Sequence, residues 1–258
     1  MKIENYGKGE RCLLAMRYLL LDERLSHIEN IERLILLPIP SARDGVHITG
    51  TDKLISELLM DINPHDLVVG YNIPAEDKDV IIHSGGDFLD VSLDEKFTLD
   101  NAELSALGAL GYILTSIKEA PLDSKYGIIG YGRIGKRLCE MLMYLGGYVR
   151  VYSSSNMTRL TLSKYGVDNL SYDKDAHCVP EIDDIDILIN TAPTHLESTF
   201  KNHKVPEHMR VIELASGENF KGVEGITSLQ SIPENFYPKS AALIYYKAIM
   251  RAILGGDE

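Results

Sequence analysis

The sequence predicts an α/β protein: a doubly wound parallel sheet joined to a smaller α/β domain. Three observations carry that prediction. From Tyr126 onward, short apolar strands alternate with amphipathic helices, the order from which parallel sheets are built. In the first half, ERLILLPIP (32–40), DLVVGYNI (66–73) and DVIIHSG (79–85) are apolar along most of their length, as strands covered on both faces are. One strand-to-helix joint, YGIIGYGRIGKR (126–137), is interrupted by three glycines.

The elements follow in order. RCLLAMRYLLLDERL (11–25) has helical apolar spacing, and the run 32–40 ends in two prolines, as a strand would. TDKLISELLM (51–60) reads as a short amphipathic helix with Thr51 as N-cap. Strands are expected at 66–73 and 79–85. TLDNAELSALGALGYILTSI (98–117) then reads as a long helix that joins the two halves. Asp100 and Glu103 have the spacing of a capping box. Ala106, Leu107, Leu110, Ile113 and Leu114 form the apolar face. Gly108 and Gly111 each cost a helix about 1 kcal/mol, which is tolerated where another backbone must come close. The second half gives strands at 126–130, 148–152, 184–190, 210–216 and 226–232. Helices are expected at 133–146, 156–165, 195–202 and 239–254. The implied domains are 1–98, completed by a C-terminal helix within 239–258, and 120–238, with 99–119 as the joining helix.

Composition excludes several roles. Acidic residues outnumber basic ones, 38 to 26, for a formal charge of -12. Such a surface repels nucleic acid and anionic membranes, and no basic stripe offsets it. An anionic ligand therefore needs a local positive site. Cys12, Cys139 and Cys178 are widely spaced and lack metal-ligand spacing, so free thiols in a reducing cytoplasm and no metal are expected. The first residues lack signal-peptide organisation, and no apolar run is long enough to span a bilayer.

The glycine pattern Gly130-Tyr131-Gly132-Arg133-Ile134-Gly135 fits G-x-G-x-x-G, and here a strand precedes it and an amphipathic helix follows. That context is the Rossmann dinucleotide site. Gly130 permits the tight turn, Gly132 lets backbone approach a pyrophosphate, and Gly135 lets helix and strand pack closely. Phosphates would lie on the helix N-terminus, with Arg133 in the loop. A dinucleotide site selective for NAD carries Asp or Glu at the end of the second strand. Here that turn reads Ser153-Ser154-Ser155-Asn156, with Arg159 nearby. The missing carboxylate favours NADP, with NAD as the alternative.

Ligands of open parallel sheets lie beyond the carboxyl ends of the strands. Those ends carry Asn190-Thr191-Ala192-Pro193-Thr194-His195, Leu214-Ala215-Ser216-Gly217 and, in the first half, Ser41 and Arg43. The nicotinamide is expected near the Thr191 and Ser216 loops and a small anionic substrate between the halves. His195 is a candidate acid or base. Ser41, Arg43, Ser216 and Lys239 are candidate substrate contacts. A D-2-hydroxyacid dehydrogenase shares this plan, but that chemistry needs an arginine where Ser216-Gly217 stands. It also needs a late histidine, and none follows His208.

Several stretches occur together: LILLPIPSARDGVHI, NAELSALGALGYIL, GYGRIG, INTAP, IELAS and YPKSAALI. In this order the chain resembles the A subunit of dipicolinate synthase, from about residue 32 to its C-terminal end. The resemblance implies a flavodoxin-like N-terminal domain beside the Rossmann domain and a nicotinamide cofactor, NADP. It also implies oxidation of a dihydrodipicolinate-type ring to the aromatic diacid, in the dipicolinate biosynthesis of sporulation. A flavoprotein-like B subunit and an oligomer of like chains are the partners it suggests. Three departures stand out. The family's opening strand and glycine turn are not evident. Leu107 replaces a glutamate before Gly108, and Ser154 replaces an arginine. A relative with altered substrate, or a nucleotide-binding subunit with little catalysis, is the alternative.

Overall fold

A computed structural model describes residues 1–255 of the chain. It divides into two compact units, Met1–Asn101 with Pro233–Glu258, and Ala102–Ile232. The end of the expected helix 239–258, residues 256–258, lies outside the described residues.

The first unit is a four-stranded parallel sheet of β1 (Lys2–Asn5), β2 (Arg33–Leu36), β3 (Asp66–Gly70) and β4 (Asp87–Asp90), in that spatial order. Helix α1 (Glu10–Leu20) follows β1, α2 (Ile55–Leu59) follows β2, and α3 (Ala75–His83) follows β3. Alternation along the strands sorts the core. Leu34, Leu36, Leu67 and Val69 face α1 and the C-terminal helix α8 (Pro238–Leu254). Ile35, Leu37 and Val68 face α2 and α3. The chain steps in one direction across the sheet, yet α1 lies on the face opposite α2 and α3. The β1–α1–β2 crossover therefore has the opposite hand to the other two, a rarity among parallel connections.

The second unit is a six-stranded parallel sheet in the order β10-β9-β8-β5-β6-β7. Its strands are β5 (Lys125–Ile129), β6 (Tyr148–Tyr152), β7 (Asp168–Leu170), β8 (Ile187–Asn190), β9 (Arg210–Glu213) and β10 (Ile226–Ser228). Helix α5 (Arg133–Tyr144) links β5 to β6, and α6 (Asn156–Lys164) links β6 to β7. Strand order reverses at the β5–β8 pair, which makes this sheet doubly wound. Ile128, Val151, Ile189 and Ile212 pack with Leu138 and Leu142 of α5 on one face, together with Ala106, Ala109 and Ile113 of the long helix α4 (Glu95–Ser116). The other face buries Ile129, Leu188 and Val211 under Leu196, Phe200 and Phe220. Among the described residues no helix is long and apolar enough to cross a membrane.

Several sequence expectations are corrected. An opening strand and glycine turn do exist: β1 runs into Tyr6-Gly7-Lys8-Gly9 and then α1. The strand escapes notice because it is short and charged, with Lys2 and Glu4 paired at 2.6 Å. DVIIHSG is the end of α3, and the strand is DFLD after it. An apolar run of three, Val80 to Ile82, cannot by itself distinguish the two periods. Thr51 does not cap α2, which starts at Ile55; its hydroxyl donates to Ile48 O at 2.9 Å. Helix α4 starts at Glu95, where Asp94 accepts from Phe97 N–H at 2.9 Å. Glu103 pairs instead with Arg137 at 2.6 Å. The segment 195–202 forms two short 3-10 turns, and β7 and α7 (Ile232–Phe236) were not foreseen.

Tyr245 ties α8 to the first sheet. It is fully buried, and its hydroxyl donates to Leu37 O at 3.1 Å. Tyr245→Phe should cost about 1 kcal/mol through the lost hydrogen bond, and Tyr245→Ala about 4 kcal/mol through the cavity. Urea midpoints compared with wild type check both values.

Candidate functional site

The glycine loop of the second unit has the geometry its sequence suggested. Gly130 turns the chain at φ +88°, a region costly for any side chain. A Cβ there would stand 2.9 Å from the Ala192 methyl. At Gly135, a Cβ would overlap Gly130 O and lie 2.6 Å from Thr191 Oγ1. The Thr191 hydroxyl donates to Ile129 O at 2.9 Å, binding the β8 end to the β5 end. Gly132 differs from both. A Cβ there would meet nothing within 4 Å, so the protein's own packing does not demand glycine. The open space lies at the start of α5, where unpaired N–H groups and the helix dipole favour an anion. Arg133 and Lys136 are exposed in the first turns and form no ion pair among the described residues. Tyr131 and Ile134 are half-buried against the core.

The turn after β6 is built by its own serines. Ser153 is buried, and its Oγ accepts from Ser155 N–H at 3.2 Å. Ser155 Oγ caps α6 by accepting from Thr158 N–H at 3.3 Å. Arg159 donates to Ser153 O at 2.6 Å and to Asn156 Oδ1 at 3.3 Å. Ser153 and Ser155 are thus occupied in shaping the turn, while Asn156 stands exposed against the Arg159 guanidinium and Ser154 is exposed with its hydroxyl against the Tyr172 phenol.

At the β8 and β9 ends lies a group that the sequence reading missed. Asn190 and Glu213 are register partners at the last position of each strand. Asn190 is fully buried and Glu213 is 4 % exposed. The Asn190 amide donates to both Glu213 oxygens at 3.1 Å, and Ala215 N–H donates to Oε1 at 2.8 Å. Asn190 Oδ1 accepts from Ala192 N–H at 3.0 Å. One polar pair therefore fixes both the Thr191-Ala192-Pro193 loop and the Ala215-Ser216 loop. Burial pushes the Glu213 carboxyl up to about 7, against the opposing pull of its amide donors. The signal was present in IELAS: a carboxylate ending an apolar strand, in register with an amide.

The remaining candidates are placed as follows. Thr191 and Ala192 are half-buried, and Pro193 and Ser216 are exposed on these loops. Ser216 O accepts from the Asn219 amide at 3.2 Å. His195 is exposed; its Nδ1 lies 3.8 Å from Glu197 Oε2 and its ring 5.6 Å from that of His177. In the first unit Ser41 is fully buried, its Oγ accepting from Tyr71 N–H at 2.7 Å. It clamps the β2 end to the β3 end and does not present its hydroxyl to solvent. Arg43 and Lys239 are exposed. Among the described residues no group of three His, Cys, Asp or Glu side chains could hold a metal ion. Burial pushes the Cys12 thiol up to about 12 and Cys139 to about 11.

Glu213 sets a pH dependence. Its folded pKa, about 7, exceeds the ordinary 4.5. The folded state therefore holds the proton more tightly than the unfolded state, and stability falls as pH rises from about 4.5 to about 7. Glu213→Gln should lack this component. Between pH 4.5 and 8 the stability of wild type relative to the variant should drop by on the order of 3 kcal/mol. Paired urea titrations across that range measure it.

No protein-family model and no curated protein sequence matches the chain. Solved structures do. The A subunit of dipicolinate synthase from Bacillus halodurans superposes with a TM-score of 0.72 at 19% identity, covering 98% of this chain and 97% of that one. Its counterpart in the Bacillus subtilis dipicolinate synthase gives 0.72 at 18%, over 99% and 96%. The Salmonella D-lactate dehydrogenase gives 0.61 at 12%, over 100% and 98%. What the chain shares with all three is the fold, two parallel-sheet α/β units.

Proposed function

We propose that this chain is an NAD(P)-dependent oxidoreductase resembling the A subunit of dipicolinate synthase. The open space at Gly132 carries the reading. A glycine that the protein's packing does not require, at the head of a helix flanked by unpaired cations, is what close backbone approach to a pyrophosphate needs. The N–H groups of the first turn of α5, with Arg133, would hold the phosphates. Ser154, Asn156 and Arg159 would meet the ribose end, and the absence of a carboxylate there favours NADP. The Thr191 and Ser216 loops, locked by Asn190 and Glu213, would frame the nicotinamide ring. When bound, that ring supplies the hydride acceptor. The reaction we propose is oxidation of a dihydrodipicolinate-type cyclic dicarboxylate. A ring carbon gives up hydride, a second hydrogen leaves as a proton, and the ring becomes aromatic. A flavoprotein-like second subunit, self-assembly and a cytoplasmic setting belong to the same reading.

A second reading is a nucleotide-binding subunit with little catalysis. Leu107, exposed on α4 where the resembled family has glutamate, favours it. Exposed His195, facing Glu197 and His177, adds no evident acid or base directed at the nicotinamide loops.

Fluorescence titration with NADPH and NADH tests both readings at their common step. Gly132→Ala should leave the urea midpoint unchanged and weaken NADPH at least about tenfold, because its methyl would stand where phosphate must approach. Binding of neither nucleotide to wild type would overturn both readings. Binding without turnover of a dihydrodipicolinate would select the second.

Ser154→Asp should weaken NADPH about tenfold, by placing like charge against a 2′-phosphate, and NADH far less. Equal losses would remove the NADP assignment.

A further inference from the structure

The first unit contains a second strand–glycine–helix joint, and its helix start is already occupied by an anion. Gly9 is the N-cap of α1 and supplies no side-chain cap. The carboxylate of Glu234, from α7, fills that place. A Cβ on Gly9 would overlap Glu234 Oε1, and Arg11 N–H donates to the same oxygen at 3.4 Å across 223 residues of sequence. That is a long contact for a charge-assisted hydrogen bond, which settles nearer about 2.8 Å.

Arg11 is the second observation. It is 3 % exposed. Its Nε is buried without a hydrogen-bond partner, and among the described residues no carboxylate oxygen lies within ion-pair distance of its guanidinium. As the second residue of α1, its side chain leans back toward the helix N-terminus. The groups that face it are Glu234, the Cys12 thiol and the phenols of Tyr245 and Tyr71. A buried arginine whose Nε lacks a partner is costly, and a buried guanidinium makes its best pairs with planar, bidentate acids.

We propose that Gly9, Arg11 and the first turn of α1 form a carboxylate-binding subsite that Glu234 fills at rest. A small organic acid displaces Glu234 and pairs with Arg11. The resident group marks the class: the site already accommodates a carboxylate, through a glycine that lets it reach the backbone. The inference deepens the proposed function and rests on it only for the identity of the acid, one carboxylate of a cyclic dicarboxylate substrate.

Calorimetric titration of the full chain with dipicolinate and, separately, succinate tests the subsite. Glu234→Gln removes the competing charge and should tighten dicarboxylate binding about tenfold or more. Arg11→Lys, which keeps the charge but loses the bidentate fork, should weaken it about tenfold. NADPH affinity should stay unchanged in both variants. If Arg11→Lys does not fold, Glu234→Gln and Glu234→Ala decide alone. Unchanged or weaker binding in the Glu234 variants, or no binding of either acid to them, overturns the subsite. Dipicolinate binding that ignores both residues overturns the subsite and leaves the oxidoreductase reading intact. A response to succinate without dipicolinate binding keeps the subsite and removes the proposed substrate.

Discussion

The second unit depends on one close approach, that of Gly135 to Gly130 O and the Thr191 hydroxyl. Helix α5 begins within contact distance of the strand end that feeds it, which only a residue without Cβ allows. That contact aims the first turn of α5 along the carboxyl edge of β5. Thr191 then draws the β8 end to the same point. The reversal of strand order falls between β5 and β8, so the sheet opens a crevice there. The vacant volume over Gly132 follows from this arrangement. Glycine at 130 and 135 serves the protein's own packing; that packing makes no such demand at 132.

The two strand–glycine–helix joints solve the same electrostatic problem in opposite ways. Each helix start concentrates partial positive charge from unsatisfied N–H groups. At α5 the charge faces open space and is reinforced by Arg133 and Lys136. At α1 a carboxylate from a distant segment neutralises it, and the one arginine in reach is buried with its Nε unpartnered. The reversed crossover hand of α1 accompanies this arrangement. It places α1 on the face of the sheet shared with α8, and the short α7 immediately before α8 is the element that brings Glu234 to the α1 start.

The Rossmann half was legible because its signals agree across levels. A strand, three glycines and an amphipathic helix occur at fixed spacing, and the alternation of strands and helices continues beyond them. The first half was less so. β1 hides because a four-residue edge strand carries charges, and α3 because its apolar run is too short to show a period. At the site, Gly130 and Gly135 could be read from local sequence, since a tight turn and a close helix start give each a steric reason. Ser41, Ser153 and Ser155 could not, because a serine at a strand end serves equally as ligand or as turn-former until its partner is known. Glu213 was only half legible: a carboxylate ending an apolar strand can be read in IELAS, its pairing cannot. Its importance arises from register with Asn190, and register between strands is a tertiary fact.

Charge pairing sorts the cations of this acidic chain into those already engaged and those left open. Arg33 is held by Asp66 and Asp61, Arg150 by Asp168 and Asp184, Arg251 by Asp94, and Arg137 by Glu103 and Glu140. These cations are spent internally, and a surplus of acid surrounds them. A ligand with negative charge therefore meets net repulsion almost everywhere. Attraction is strongest where a cation lacks a carboxylate and backbone N–H groups point outward together. Arg133 with Lys136 at α5 meets that condition in the open, and Arg11 at α1 meets it behind Glu234. In a protein of the opposite charge such exceptions would carry little information. Here they mark places where binding an anion would relieve an unmet interaction, whereas Arg33, Arg150, Arg251 and Arg137 already have their carboxylates.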